Sequence, residues 1–153
     1  MHTEAYLRQV VTVLAQDIGV RSYRHADKLH DAARYISGQF SSFGYQVARQ
    51  PLYFFENTYY NIIAERTGSG KSKTILVIGA HYDTVRTTSG ADDNASGIAG
   101  LLALARTLAT TQGLRTVRFV AFPLEEPPAY RTDSMGSYHY ARSLKMKREI
   151  LGG

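Results

Sequence analysis

The chain has 153 residues, 44% of them hydrophobic, enough to bury one core and too apolar for a disordered segment. It contains no Cys, which excludes disulfides and thiolate ligands, so any bound metal must be held by His, Asp and Glu. The net charge of +5 comes from scattered residues apart from Lys145, Lys147 and Arg148, which reads as a solvated surface and not as a nucleic-acid-binding stripe.

The N-terminus has no basic stretch followed by an apolar one, so no signal peptide is visible. A cytoplasmic location and secretion with a signal already removed both stay open. From Thr3 to Ile18 the residues Leu7, Val10, Val11, Leu14 and Ile18 fall on one helical face, with Thr3 as cap and Gly19 as stop. Leu29, Ala32, Ala33, Ile36, Phe40 and Phe43 repeat the pattern up to Gly44. Both stripes read as core packing. Tyr45–Phe55 and Tyr59–Glu65 are rich in aromatic and β-branched residues and read as strands joined by a turn at Glu56-Asn57.

Gly68-Ser69-Gly70-Lys71-Ser72 looks like the end of a phosphate-binding loop. That motif needs a Gly where Glu65 stands, and it joins a strand to a helix, so a hairpin turn is the better reading. Thr74–Ala80 is a continuous apolar run, as expected of a strand buried on both faces. Ala95–Ala109 reads as a helix and Thr116–Pro123 as a second buried strand. Asp133 or Ser134 can cap a last helix running to about Lys147, and Ile150-Leu151-Gly152-Gly153 looks like a strand beginning, with Glu149 at its start. No run is long enough to span a membrane. The alternation of buried strand and helix predicts an α/β fold: a three-layer sandwich around a mixed, centrally parallel sheet.

In such sheets functional groups gather beyond the carboxyl ends of the strands. His81 and Asp83 follow one buried strand, and Glu125 and Glu126 follow the next. Asp92 and Asp93 fall at the expected start of the intervening helix, where the helix dipole favours anions. Taken singly, each has a bland explanation as polar surface, cap or solvated loop. Their convergence on one sheet edge is what points to a metal, since adjacent acids are costly unless something positive holds them. His2, His25, His30 and His139 have no such company and read as surface or helix-packing residues.

Gly-Ala-His-Tyr-Asp-Thr at 79–84, Gly-Ala-Asp-Asp-Asn-Ala-Ser-Gly at 90–97 and Glu125-Glu126 together resemble the co-catalytic zinc aminopeptidases of the bacterial leucyl aminopeptidase and aminopeptidase S type. The resemblance extends from Asn61-Ile62-Ile63-Ala64 to Met135-Gly136-Ser137. It implies that His81 binds one zinc, Glu126 another, and Asp93 bridges the two. It implies that Glu125 is the general base and that Asp83 orients His81, while Asp92 is not a ligand. It implies a single zinc-exopeptidase-like domain over residues 1–153 and a peptide substrate; the scattered basic residues and the lack of a long apolar run predict no nucleic-acid or membrane partner.

The family also uses two further ligands downstream, an acid after the next strand and a later His. Nothing in the sequence supplies both: Glu149 precedes that strand, and His139 sits inside the expected last helix. The resemblance therefore implies a domain incomplete at its C-terminus. Its two-zinc site is expected to be partial or empty, and the chain itself weakly active at most. An uncovered sheet edge or apolar face predicts a homo-oligomer. Two alternatives remain: a non-catalytic fragment that folds and oligomerises, and a one-zinc enzyme like the related glutaminyl cyclases.

Overall fold

The computed structural model describes residues 2–147 and, as backbone, 150–151; Met1, Arg148, Glu149, Gly152 and Gly153 lie outside the described residues. Helix α1 (Thr3–Thr12) starts with His2, not Thr3, in the capping position. The apolar stripe continues through Leu14 and Ile18, but the chain widens into a π-helical turn over Val13–Ile18 before Gly19 turns it at φ 84°. The widening has a local cause: the Leu14 carbonyl accepts both the Gly19 amide, at 3.1 Å, and the Arg21 guanidinium, at 2.6 Å. Helix α2 (Ala26–Ser42) buries Leu29, Ala32, Ala33, Ile36 and Phe40.

Strands β1 (Val47–Phe54) and β2 (Asn57–Arg66) form an antiparallel hairpin in which Phe54 pairs with Asn57, so the turn is Phe55-Glu56, one residue earlier than its sequence suggests. Strand β3 (Thr74–His81), helix α3 (Gly97–Leu108), strand β4 (Thr116–Phe122), helix α4 (Gly136–Lys147) and the short β5 (Ile150–Leu151) complete the chain. The sheet order is β1-β2-β4-β3-β5, with β4 antiparallel to β2 and parallel to β3, and β5 parallel to β3. Because β4 lies between β2 and β3, the 67–73 loop is not a hairpin turn. It crosses the approach to β4 so closely that a Cβ on Gly68 would stand 2.4 Å from the Arg115 carbonyl carbon. Ser69 and Gly70 instead donate to the carbonyls of Gly113 and Leu114.

Alternation along the strands sorts the residues into two cores. Phe119 and Ala121 of β4 join Ile62 and Ala64 of β2 and the apolar stripes of α1, α2 and α3. Val120 and Phe122 face the other way, toward Tyr140 and Leu144 of α4. The result is the three-layer sandwich, with three helices on one face and one on the other. Expected to be buried on both faces, β3 is not: Leu76 is 38% exposed. On the side away from β4, only Thr74 and Ile75 are paired among the described residues.

Candidate metal centre

The parallel pair places its functional residues at one end. His81 is the last residue of β3 and pairs with Phe122, the last residue of β4, so the segments 82–84 and 123–126 leave the sheet side by side. The third segment arrives differently from expectation. Asp92 and Asp93 do not lie in the first turn of α3; they sit in a broad turn, Ala91–Ser96, where Asp93 (φ −111°, ψ 90°) and Asn94 are non-helical. The Asn94 side chain causes the break, since its Oδ1 takes the Gly97 amide at 3.0 Å and so satisfies the first turn of α3.

The donor atoms of His81, Asp93 and Glu126 lie within 4.8 Å of one another. His81 Nε2 stands 3.0 Å from Asp93 Oδ1. Asp83, buried at 3% exposure, ties two of the arms together: its Oδ1 lies 3.3 Å from His81 Nδ1 and its Oδ2 accepts the Glu126 amide at 2.9 Å. A carboxylate can only accept, so the proton of a neutral His81 belongs on Nδ1, which leaves the Nε2 lone pair directed at the cluster.

Glu125 stands apart from the three. Its Oε1 accepts the Ser137 amide at 2.7 Å and its Oε2 the Ser137 hydroxyl at 2.8 Å. It therefore caps α4, the role expected of Asp133 or Ser134. Gly136, preceding Ser137, is itself fixed: its carbonyl accepts from the Asn61 side chain at 2.9 Å and its amide donates to Pro123. Together with Pro127 and Tyr130, Glu125 and the cluster line a cleft of about 550 Å³. His139 lies on α4 and is not part of the cluster.

Electrostatics at this end favour a cation. Burial pushes the Glu125 carboxyl up, and the two Ser137 bonds only partly oppose it. Burial together with the charges of Asp93 and Asp83 pushes Glu126 up as well. Burial alone would lower the His81 imidazole, but the Asp83 bond and the charges of Asp83, Asp93 and Glu126 reverse the direction. The His81 and Glu126 shifts thus reflect neighbouring carboxylates in a half-buried space, while that of Glu125 is mainly burial. One imidazole and two carboxylates, with no thiolate, are also a donor set that zinc accepts. The residues present thus fit a zinc ion.

Asp83→Asn tests the buried link. Asn has one acceptor oxygen where Asp83 uses two, so either His81 Nδ1–H or the Glu126 amide faces an NH₂ group. Zinc affinity is expected to fall about 10–100-fold, as for other groups that orient a metal-bound His. Competition titration against a chelator measures it, and an unchanged affinity would remove Asp83 from the site.

Missed by the sequence reading was Arg21, which is fully buried beside this loop system. A lone Arg after a Gly-Val pair gives no signal of burial. Its distant partners are main-chain carbonyls, which no residue pattern reveals.

The family model for peptidase family M28 matches residues 61–150. An Escherichia coli (strain K12) protein, the uncharacterized protein YfbL, is 40% identical over 153 residues, covering 95% of this chain and 47% of its own. Aminopeptidase YwaD of Bacillus subtilis is 36% identical over 95 residues, 61% of this chain and 20% of its own. The chain thus spans half or less of these relatives' length. Among solved structures, a zinc aminopeptidase from Bacillus subtilis superimposes with a TM-score of 0.81 at 16% identity, over 95% of this chain and 67% of its own. Glutaminyl cyclases of known structure share the fold as well.

Proposed function

The chain belongs to peptidase family M28, and on that premise we propose that it carries the zinc-binding and general-base residues of an aminopeptidase that releases N-terminal residues from peptides. The observation that carries the reading is the convergence of His81, Asp93 and Glu126 within 4.8 Å in a cleft that Glu125 also lines. In this reading His81, Asp93 and Glu126 would hold zinc. Bound zinc supplies Lewis acidity and offsets negative charge developing on a carbonyl oxygen.

The rest is the work of side chains. Glu125 is close to the cluster without belonging to it, so its carboxylate is available to take a proton from the attacking water and deliver it to the leaving amine. Ser137 holds that carboxylate through two bonds, so its position does not depend on the metal. Asp83 holds the His81 ring and the Glu126 backbone in one geometry. The cleft, walled by Phe122, Pro127 and Tyr130, offers apolar surface to a peptide side chain.

The test is to titrate the chain with zinc and assay leucine amide and an N-terminal Gln peptide in parallel. Zinc-dependent release of leucine supports the aminopeptidase. Ammonia from the Gln peptide without amino-acid release supports a cyclase, whose fold this chain shares. Zinc bound with neither product identifies the 153-residue chain as non-catalytic by itself. No zinc at the cluster overturns the metal reading. The exposed Leu76 and the part of β3 beyond Ile75, which has no strand partner on that side among the described residues, support self-association, which sedimentation of the same sample measures.

A further inference from the structure

Among the described residues, Arg21 is the one charged side chain that the core encloses completely, at 0% exposure. Its Nε donates to the Tyr82 carbonyl at 2.8 Å. Its Nη1 faces the carbonyls of Leu14, Gly19 and Ser89 at 2.6, 2.7 and 2.8 Å, and its Nη2 donates to Gly90 at 3.2 Å. The backbone adds a reciprocal pair: the Arg21 amide donates to Thr84 Oγ1 at 3.0 Å and the Thr84 amide to the Arg21 carbonyl at 3.2 Å. A buried cation is costly unless it is fully hydrogen-bonded, and a guanidinium can fill a ring of carbonyls because it presents five donors in a planar fork. Burial lowers the group to about 10, so it stays charged at neutral pH, and the nearby Asp83 carboxylate favours that charge.

The places it grips matter more than their number. Tyr82 follows His81 directly. Ser89 and Gly90 open the turn that carries Asp93. The guanidinium thus spans the loop between two of the proposed ligands, while Leu14 and Gly19 anchor it to the widened end of α1. Gly90 is built for this closeness: with φ at 60°, a Cβ there would stand 2.4 Å from both the Asp93 carbonyl and Thr84 Cγ2. Resting on the metal-centre reading above, we propose that Arg21 is a positioning residue, setting the distance between the His81 arm and the Asp93 arm.

Arg21→Met could fail to fold, so the informative variants are Arg21→Lys, which keeps the charge but loses the fork, and Gly90→Ala, which presses on the same loop from the other side. Phe40→Leu, in the core among Tyr45 and Phe119, serves as a remote destabilised control. Each folded 153-residue variant is titrated with zinc alone. Amide hydrogen exchange is followed at Thr84 and Ala95, whose amides bond to the carbonyls of Arg21 and Gly90. Arg21→Lys and Gly90→Ala are expected to weaken zinc binding about tenfold or more, the size of effect seen when outer partners of a metal ligand are lost. Both should speed exchange at Thr84 and Ala95, and Phe40→Leu should do neither.

Zinc affinity equal to the unaltered chain in Arg21→Lys overturns the proposal, and so does the same loss in Phe40→Leu. If the unaltered chain binds no zinc, it is the metal reading that fails. Exchange at Thr84 and Ala95 then decides the role of Arg21, and no change in Arg21→Lys overturns it.

Discussion

Glu125→Gln, placed in a zinc-loaded active enzyme carrying this sequence, is expected to lower kcat by about 10²–10⁴-fold, the range of a general acid–base contribution. Zinc content should stay the same. The two results follow from one geometry. Glu125 is outside the cluster of His81, Asp93 and Glu126, so no donor is lost. Gln keeps the volume and one acceptor oxygen for the Ser137 amide, so the start of α4 stays capped and the fold is preserved. What disappears is a group able to take a proton. Stopped assays with metal analysis on the same sample separate the cases. Wild-type kcat would refute the base assignment, and loss of zinc would make Glu125 a ligand instead.

The parts of this fold that could be read in advance are those where the chain signals its own neighbours. Thr74–Ala80 and Thr116–Pro123 announce buried strands by unbroken apolar runs, and a parallel pair forces their carboxyl ends together. That is why His81 and Glu126 could be brought to one edge from residues 45 apart. The misreadings share a different cause: each depends on a partner outside the segment that was misread. The π-helical turn at Val13–Ile18 exists because Arg21 draws on the Leu14 carbonyl. The 67–73 loop looks like a hairpin until β4 is inserted between β2 and β3. Helix α4 is capped by Glu125 through Ser137, which makes the local caps Asp133 and Ser134 unnecessary. The broad turn at Asp93 is the exception, being produced locally by Asn94, a residue whose side chain competes with helix formation.

That turn bears on the other large effect. Asp92 and Asp93 are adjacent, both exposed, and indistinguishable by composition, yet only Asp93 has an oxygen near His81 and Glu126. In an α-helical first turn the two carboxylates would point about 100° apart and either could be the ligand. The extended conformation at Asp93 directs that side chain into the cleft, while Asp92 contributes a backbone carbonyl to Ser96. Asp93→Ala is therefore expected to weaken zinc binding by more than about 100-fold, beyond the 10–100-fold of an outer partner, whereas Asp92→Ala leaves it unchanged. Without zinc, neither variant should shift stability by more than about 0.5 kcal/mol, the usual range for an exposed position. Removing Asp93 also relieves the like charge that raises Glu126. With zinc at about 100 times its Kd, the unaltered chain and Asp92→Ala gain about 2.7 kcal/mol from binding to the folded state. Asp93→Ala should gain almost nothing. Thermal melts of the three proteins with and without zinc give the comparison directly. A zinc-induced rise lost in Asp92→Ala and kept in Asp93→Ala would show that the ligand register is off by one residue, and with it the geometry that joins this turn to β3.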